Sequence, residues 1–416
     1  MIVVVGAGAA GLACTIFLAR RLGGARVVAL DGAPRLGAKI LVSGGTRCNL
    51  TNAVVTEADF CGGSRPFVRR VLAAFGVEAT VALFRELGVE VREEEHGKLF
   101  PVTGRARTVL EALVGECSRL GIRVELNRRV ASLEAAIGKR FRVACTDGSV
   151  RDDERVVLAT GGLSLPKTGS DGSGIGMARR LGHRVVETTP ALVPLVLGRG
   201  FHAGLSGTSA DVELTLCRAG QAPIRFHGPL LFTHFGVSGP VVLDVSRHWL
   251  RAQLGGTVPR LFVSLLPGQD FEAAERWLLD GARSHPRQRV TKYLAERLPE
   301  RLALALGDSG GLAPEASLGR LTREERRGLV RALVEGELDV VGSRGYGHAE
   351  VTAGGVSLGE IAASTLESRI VPGLHFAGEI LDVDGRLGGF NFQWAWSSAW
   401  VAARGVADGI ATAVSW

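Results

Sequence analysis

The stretch IVVVGAGAAGLACTIFLARRLGGARVVALD, Ile2 to Asp31, decides the fold. Ile2 to Val5 is a short apolar run that breaks at Gly6, Gly8 and Gly11 and resumes with helical spacing to Leu22. The order is strand, tight turn, helix. In a G-x-G-x-x-G turn the first glycine permits the sharp bend, the second lets a backbone approach a pyrophosphate, and the third lets helix lie close on strand. The helix N-terminus then offers unpaired N–H groups and the positive end of its dipole. A second apolar run, Arg26 to Leu30, ends at Asp31, twenty residues beyond Gly11, where an acid can accept a hydrogen bond from a ribose hydroxyl. A lone glycine motif is weak evidence, but strand, glycines, helix, strand and acid agree here. They predict a dinucleotide-binding α/β domain.

The same stretch imitates a signal peptide, being apolar from Met1 to Ala19 and followed by Arg20 and Arg21. It lacks a basic leader, and glycines occupy positions where a secretory segment carries leucine. The expectation is a mature N-terminus and a cytoplasmic protein. A chain of 416 residues is long enough for two or three domains. No apolar run suits a membrane span. The six cysteines are scattered without a C-x-x-C pair, which signals neither zinc nor a disulfide framework, and no metal site is expected. The net charge of +7 comes with 44 arginines against 5 lysines, a bias that chooses between basic residues without adding charge. Its distribution says more. From Arg283 to Arg331 there are 11 basic and 6 acidic residues, a surplus of 5, so the excess is local.

Beyond Asp31, SGGTRCNLTN (Ser43 to Asn52) is too rich in small and polar residues for an ordinary helix and reads as a loop held against something. Phe67 to Leu87 and Thr108 to Leu120 have helical spacing, and Leu99 to Pro101 interrupts between them. Ile122 to Leu126, Phe141 to Cys145 and Val156 to Ala159 read as strands, with TDGS (Thr146 to Ser149) a hairpin turn. VVLAT runs into Gly161 and Gly162, and a second glycine-rich helix start follows from Gly169 to His183, suggesting another approach to the same ligand. From Pro190 the pattern changes to short runs, Leu192 to Leu197, Val212 to Arg218, Ile224 to Thr233, Val241 to Val245 and Leu261 to Leu265, all read as strands. Asp270 to Leu338 reads as helical and arginine-rich. From Glu350 the earlier character returns. The expected architecture is a first domain over 1–189, completed by 345–416, with a β plus helical substrate domain inserted at 190–344.

VVVGAGAAGL, SGGTRCNLTN, GKLFP, VLATGG, LLFTHFGVSGP, VTAGGV and PGLHFAGEILDVDGRLGGFNFQWAWSS together resemble, over nearly the whole chain, the BaiN-like or YhiN-like bacterial flavoproteins, a group of NAD(P)/FAD-dependent oxidoreductases. The resemblance implies a Rossmann-type FAD domain with an inserted substrate domain. It implies that Gly6, Gly8, Ala10 and Gly11 meet the pyrophosphate, that Asp31 takes the adenosine ribose where many relatives have Glu, and that Val130 offers its backbone to adenine. Glu379 is expected near the ribityl chain and Gly389, Asn391 and Phe392 at the flavin ring. Lys39, Ser43, Gly45 and Asn49 from the small-residue loop, with Thr160, Gly161 and Gly378, complete the expected cofactor set. Departures are small, such as Thr46 for glycine and Ala399-Trp400 for glycine and tyrosine. A helix starting after Gly388-Gly389 presents N–H groups where reduced flavin carries negative charge. There is no second complete G-x-G-x-x-G with its own strand and acid, so NAD(P)H is expected to bind transiently at the flavin face or to be replaced by another donor.

Members of that family are associated with reduction of an unsaturated bile-acid ketone, with dihydrouridine formation in large-subunit ribosomal RNA, and by name alone with aminoacetone oxidation. The first two share one chemistry, hydride addition to the far carbon of a double bond conjugated to a carbonyl, followed by a proton. Three classes therefore stand, an RNA-modifying reductase, a small-molecule enone reductase and an amine oxidase. An RNA partner would use the Arg283–Arg331 surplus. Cys48 is a candidate proton donor with Arg47 adjacent to lower its pKa, or else a small filler beneath the loop. His234 is a second candidate for donor or anion binder, or a turn residue. Arg47 suits a phosphate or a substrate carbonyl, and equally an acid that holds the loop. Asp382 and Asp384 read as helix caps and turn acceptors, and Trp394, Trp396 and Trp400 as packing.

Overall fold

A computed structural model describes residues 1–136, 140–198, 201–309 and 311–414. The chain divides into two compact units, Met1–Pro190 with Glu350–Trp416, and Ala191–Ala349.

In the first unit the opening run forms strand Ile2–Val5, flanked in parallel by Val27–Leu30 on one side and Arg155–Leu158 on the other. Arg123–Glu125 and Leu374–Phe376 form the two edges, giving a five-stranded parallel sheet. Its central strands are buried along their whole length, which is why they read as continuous apolar runs rather than as alternation. Helix Ala9–Leu22 packs along the final helix, Phe390–Val414, where Trp400 meets Phe17 edge-on at 5.1 Å and takes the Arg21 guanidinium on its face at 5.0 Å. A separate antiparallel sheet of Val130–Ala136, Arg140–Cys145 and Val150–Asp153 carries the expected TDGS turn, in which Asp147 accepts from the Ser149 N–H at 3.0 Å. The Rossmann-type arrangement expected from Ile2 to Asp31 is present.

Several elements differ from the sequence reading. Phe67 to Leu87 is two helices, Arg65–Ala74 and Val77–Glu86, broken where Phe75 leaves helical geometry (φ −152°) before Gly76. Leu99 to Pro101 belongs to strand Lys98–Pro101, which pairs with Val91–Glu94 and with Thr51–Asn52. It is therefore the surface against which the small-residue loop is held. Helical turns from Ala38 end at Ser43 (ψ 148°), and Gly44, Gly45, Thr46 and Cys48 all take positive φ.

The second unit is built on a seven-stranded antiparallel sheet, in the order 336–338, 260–264, 209–217, 224–233, 236–238, 195–197, 340–343. Val241 to Val245 lies inside helix Pro240–Leu254, not in a strand. Pro240 opens that helix, and Val241, Val242, Val245 and Trp249 bury one face. A short apolar run does not distinguish the two states without its flanks. Asp270 to Leu338 resolves into helices Phe271–Ser284, Val290–Leu294, Glu300–Ser309 and Arg323–Val334 before closing on strand Gly336–Leu338. Local signals start two of them. Asp270 accepts from the Ala273 N–H at 2.8 Å, and Thr322 forms a capping box with Glu325.

His375 sits within the parallel sheet opposite Val157 and is 1% exposed. Its Nδ1–H faces the Gly373 carbonyl at 3.4 Å, and its Nε2 is buried without a partner. Burial, outweighing the opposing pull of Glu367, pushes its pKa down to about 4 from 6.5. A depressed folded-state pKa means that neutral His375 contributes its full stability above pH 6.5, and that the contribution is lost as pH falls toward about 4. Denaturant midpoints should therefore drop between neutral and mildly acidic pH, and His375→Asn should decline less steeply; parallel declines in the two proteins would refute the assignment.

Candidate functional site

The glycine turn separates what the fold requires from what it leaves open. Gly6 has φ 97°, and a Cβ there would meet the Ala159 carbonyl oxygen at 2.6 Å. A Cβ on Gly11 would lie 1.8 Å from the Gly6 carbonyl oxygen, so helix and strand touch through bare backbone. Gly8 is different. It has φ −79°, caps the helix with no side-chain bond, and a Cβ there meets nothing within 4 Å. The protein itself does not need glycine at position 8, whereas a ligand lying over the helix N-terminus does. Asp31 accepts from the Ala7 N–H at 2.7 Å and the Ala33 N–H at 2.8 Å. Its carboxylate thus ties the turn to the end of the second strand while each oxygen keeps capacity for a hydroxyl donor. Ala10 brings the C-terminal segment to the same place, since a Cβ on Gly378 would lie 2.8 Å from that of Ala10.

Next to Gly378, Glu379 is the centre of a polar cluster. One carboxylate oxygen accepts from Lys39 Nζ at 2.5 Å, and the other from Ser164 Oγ at 2.8 Å and the Thr352 N–H at 2.9 Å. Lys39 also donates to Ser164 Oγ, and Thr352 Oγ1 accepts from the N–H groups of Leu163 and Ser164 at 2.8 and 3.1 Å. Four segments far apart in sequence meet here. Ser164 and Thr352 escaped the sequence reading, although both lie beside quoted motifs, VLATGG and VTAGGV. Thr160 and Gly161 lead into the cluster, and Gly161 (φ 72°) faces Ser170, whose buried Oγ has no partner among the described residues.

The small-residue loop supplies the remaining wall. Ser43 Oγ donates to the Ile40 carbonyl at 2.7 Å and the Ser43 carbonyl accepts from the Cys48 N–H at 3.1 Å, while Gly45 (φ 66°) has open space where a Cβ would be. Asn49 is 9% exposed and its Oδ1 is buried without a partner, 2.9 Å from where a Cβ on Gly389 would lie. Gly389 itself (φ 94°) lies against Thr51 backbone, where a Cβ would come within 2.5 Å. Buried polar atoms are almost always paired, so the orphaned Asn49 Oδ1 and Ser170 Oγ, together with open Gly8, fit a ligand that is itself rich in polar atoms. FAD is such a group.

The structure corrects several assignments. Cys48 is fully buried, and burial pushes its pKa up to about 12 against the opposing hydrogen bond from Ser43. Arg47 does not activate it. That guanidinium pairs with Glu94 at 2.9 Å and stacks over Phe100 at 4.0 Å, which is the alternative in which it holds the loop to an acid. The Asn391 amide is wholly engaged by Gly385, accepting from its N–H and donating to its carbonyl at 2.8 Å each, so the side chain closes a turn. Phe392 stacks on Trp396 with centroids 5.6 Å apart. Asp384 is buried in strand Val383–Gly385 and Asp382 precedes it, both upstream of the helix that begins at Phe390. Trp394 and Trp396 are buried and donate to the carbonyls of Gly378 and Leu50 at 3.1 and 3.0 Å, pinning both cofactor-side segments to the final helix. Val130 is buried at the start of its strand, paired with Cys145. His234 belongs to the second unit, exposed at the hairpin tip between Thr233 and Gly236, with its ring edge-on to Phe235 at 5.1 Å. Among the described residues no group of His, Cys, Asp or Glu is arranged to hold a metal, and no helix is long and apolar enough to cross a membrane.

Comparison with known proteins gives a consistent result. The family model described as HI0933-like protein Rossmann domain matches residues 1–405. A ribosomal RNA dihydrouridine synthase of Escherichia coli is 35% identical over 97% of this chain and 96% of its own length. A 3-dehydro-bile acid delta(4,6)-reductase of Clostridium scindens is 32% identical over 97% and 98%. Among solved structures, a 3-ketosteroid delta1-dehydrogenase from Sterolibacterium denitrificans matches with a TM-score of 0.52 at 12% identity, covering 98% of this chain and 99% of that one. Likeness at that identity reports the fold alone.

Two outcomes follow from the local geometry. Gly8→Val should fold with a normal melting profile yet lose bound flavin, whereas Gly11→Val should fail to accumulate as folded protein, because only the second puts a side chain into backbone; normal flavin occupancy in Gly8→Val would sink the site. With its thiol protonated and enclosed, Cys48 should resist alkylation at mildly alkaline pH until the protein unfolds. Peptide mapping that finds Cys48 labelled as fast as a free thiol would restore it as a reactive group.

Proposed function

Because the chain belongs to the HI0933-like Rossmann family and is an FAD-dependent oxidoreductase, we propose that it reduces a carbon–carbon double bond conjugated to a carbonyl, and that its substrate is a uracil base of ribosomal RNA. The observation that carries this reading is 35% identity to a ribosomal RNA dihydrouridine synthase across almost the whole of both chains. Such coverage leaves no domain of that relative without a counterpart here.

Bound FAD would supply hydride chemistry at its isoalloxazine ring. The protein's part is binding, orientation and charge. Gly8 and the N–H groups that open helix Ala9–Leu22 hold the pyrophosphate, Asp31 accepts from the adenosine ribose, and Val130 offers its backbone to adenine. Glu379, already fixed by Lys39, Ser164 and Thr352, orients the ribityl side. A carboxylate with three donors in place cannot swing, so it presents a constant acceptor edge. Asn49 Oδ1, buried without a partner, would accept from the bound group, and the N–H groups after Gly389 would stabilise negative charge on it. Lys39 adds a positive charge 2.5 Å from Glu379, which keeps the cluster near neutral. NAD(P)H, bound transiently, is the electron donor of this reading. Residues 190–344 are the substrate domain, and His234 on its exposed hairpin is the proton-donor candidate that remains once Cys48 is packed away. A ribosomal RNA substrate supports a cytoplasmic location.

A small-molecule enone reductase is the second reading, favoured by 32% identity to the bile acid reductase over 97% of the chain. Both readings use one redox step and differ in what carries the double bond. Mass spectrometry of ribosomal RNA from a strain lacking the gene decides between them. The RNA reading expects one dihydrouridine to disappear, to return with the wild-type gene and to stay absent with Gly8→Val. Persistence of every dihydrouridine in the deletion strain would reject it and leave the small-molecule reductase.

A further inference from the structure

The basic surplus between Arg283 and Arg331 separates into two populations. Several of its arginines are engaged inside the unit. Arg289 pairs with Glu315, Arg326 reaches Glu275 at 3.3 Å, Arg327 stacks over Phe271 at 5.3 Å, and Arg301 donates to the carbonyls of Gly204 and Ser206 at 2.7 and 3.1 Å. These hold helices to one another and to loops, and their charge is already answered. Arg287, Arg320 and Arg323 are exposed, and their side chains form no ion pair or hydrogen bond among the described residues.

Tertiary structure brings these three together. The segment after helix Phe271–Ser284 runs against the segment before helix Arg323–Val334. The Gly319 N–H donates to the Pro286 carbonyl at 3.0 Å, the Leu318 N–H to the Gln288 carbonyl at 3.0 Å, and the Val290 N–H to the Ala316 carbonyl at 2.9 Å, with Arg289 and Ser317 bridged antiparallel. A Cβ on Gly319 would meet Pro286 at 2.9 Å, so the two backbones are in direct contact. Arg287 and Arg320 are thereby fixed on adjoining backbone, and Arg323 follows three residues on. Of the two acids that follow Arg323, Glu325 turns back to accept from the Thr322 N–H at 2.8 Å, and Glu324 is exposed and in no ion pair among the described residues. Residues 283–289 and 315–323 together hold five arginines and one glutamate, and that glutamate is paired with Arg289.

We propose that this ridge docks the phosphate backbone of the RNA substrate, an inference that rests on the RNA reading above. Charge complementarity selects the partner. A protein partner of comparable affinity needs an apolar centre ringed by polar groups, and none of the large exposed apolar side chains lies in either segment. Unpaired guanidinium groups on a rigid backbone clamp meet the needs of phosphate, whose binding draws on counterion release and bidentate N–H donors. The ridge grips backbone rather than bases, so it contributes affinity without sequence preference.

The test compares wild-type holoenzyme with the triple variant Arg287→Glu, Arg320→Glu, Arg323→Glu. The probe is ribosomal RNA purified from the strain lacking the gene, titrated over a range of salt. The wild type should lose affinity linearly in log salt. The variant, with flavin content as in the wild type, should bind more weakly at low salt, with a slope shallower by about 2, from three contacts at about 0.7 each, and a raised KM for RNA. Equal slopes and equal KM, with the wild type still forming dihydrouridine, would overturn the ridge and leave the RNA reading standing. A wild type that neither binds this RNA nor modifies it would remove the RNA reading itself. Unchanged binding to naked RNA with lost binding to ribosomal particles would reassign the ridge to an acidic protein and overturn the proposal.

Discussion

Everything in the first unit depends on how closely helix Ala9–Leu22 can lie on strand Ile2–Val5. The limit is set at one point, where the Cα of Gly11 passes the Gly6 carbonyl so tightly that a single added carbon would sit 1.8 Å from the oxygen. That approach aims the helix N-terminus at the ends of the parallel strands. Strand ends and helix start then share one edge of the sheet, the place where this fold gathers its polar groups. The next constraint is inherited from it. Gly378 must come up against Ala10, so the strand that precedes it, Leu374–Phe376, has to pair with Arg155–Leu158.

This explains why the chain can leave the first unit after Pro190 and return at Glu350. The sheet lacks an edge strand and the site lacks Glu379 until the return is made. The final helix then lies along the first one, and its two buried indoles fix the flanking segments through Gly378 and Leu50. Packing and site formation are one event here. A core substitution under Trp394 would disturb Glu379 as surely as a change in the polar cluster would. Full membership of the HI0933-like family over residues 1–405 is what such coupling leads one to expect, since neither part of the first unit completes the site without the other.

Arginine is used in two ways across the molecule. Most of the arginines named here serve structure. Arg47 straps the cofactor-side loop to Glu94 and Phe100, and Arg20 joins Glu86 and Glu116 at 3.0 and 2.7 Å. The Arg47–Glu94 pair is open to solvent and contributes little to stability, but it fixes loop geometry, whereas Glu116 is buried beneath Arg20. Net charge alone would have counted these with the rest. Only the unpaired ones shape the field that an anionic partner meets.

The sequence by itself determined the α/β class and the strand–glycine–helix turn, because these rest on local rules. Glycine spacing, apolar runs and an acid at a strand end are written in contiguous residues. Periodicity failed where length was short, as at Val241 to Val245, and where a kink interrupted a helix, as at Phe75. The fates of particular side chains were not legible at all. Arg47 stands next to Cys48 in the chain yet turns to Glu94, and Asn391 sits in a flavin motif yet closes its own turn. Ser164 and Thr352 join Glu379 from positions 215 and 27 residues away. Burial, pairing and pKa are properties of neighbours in space, and contiguous sequence does not encode which of many polar groups will be the one that arrives. Only the tertiary structure decided that Cys48 is enclosed, that Asn49 is left with an open acceptor, and that Arg287, Arg320 and Arg323 stand together while the arginines around them are already taken.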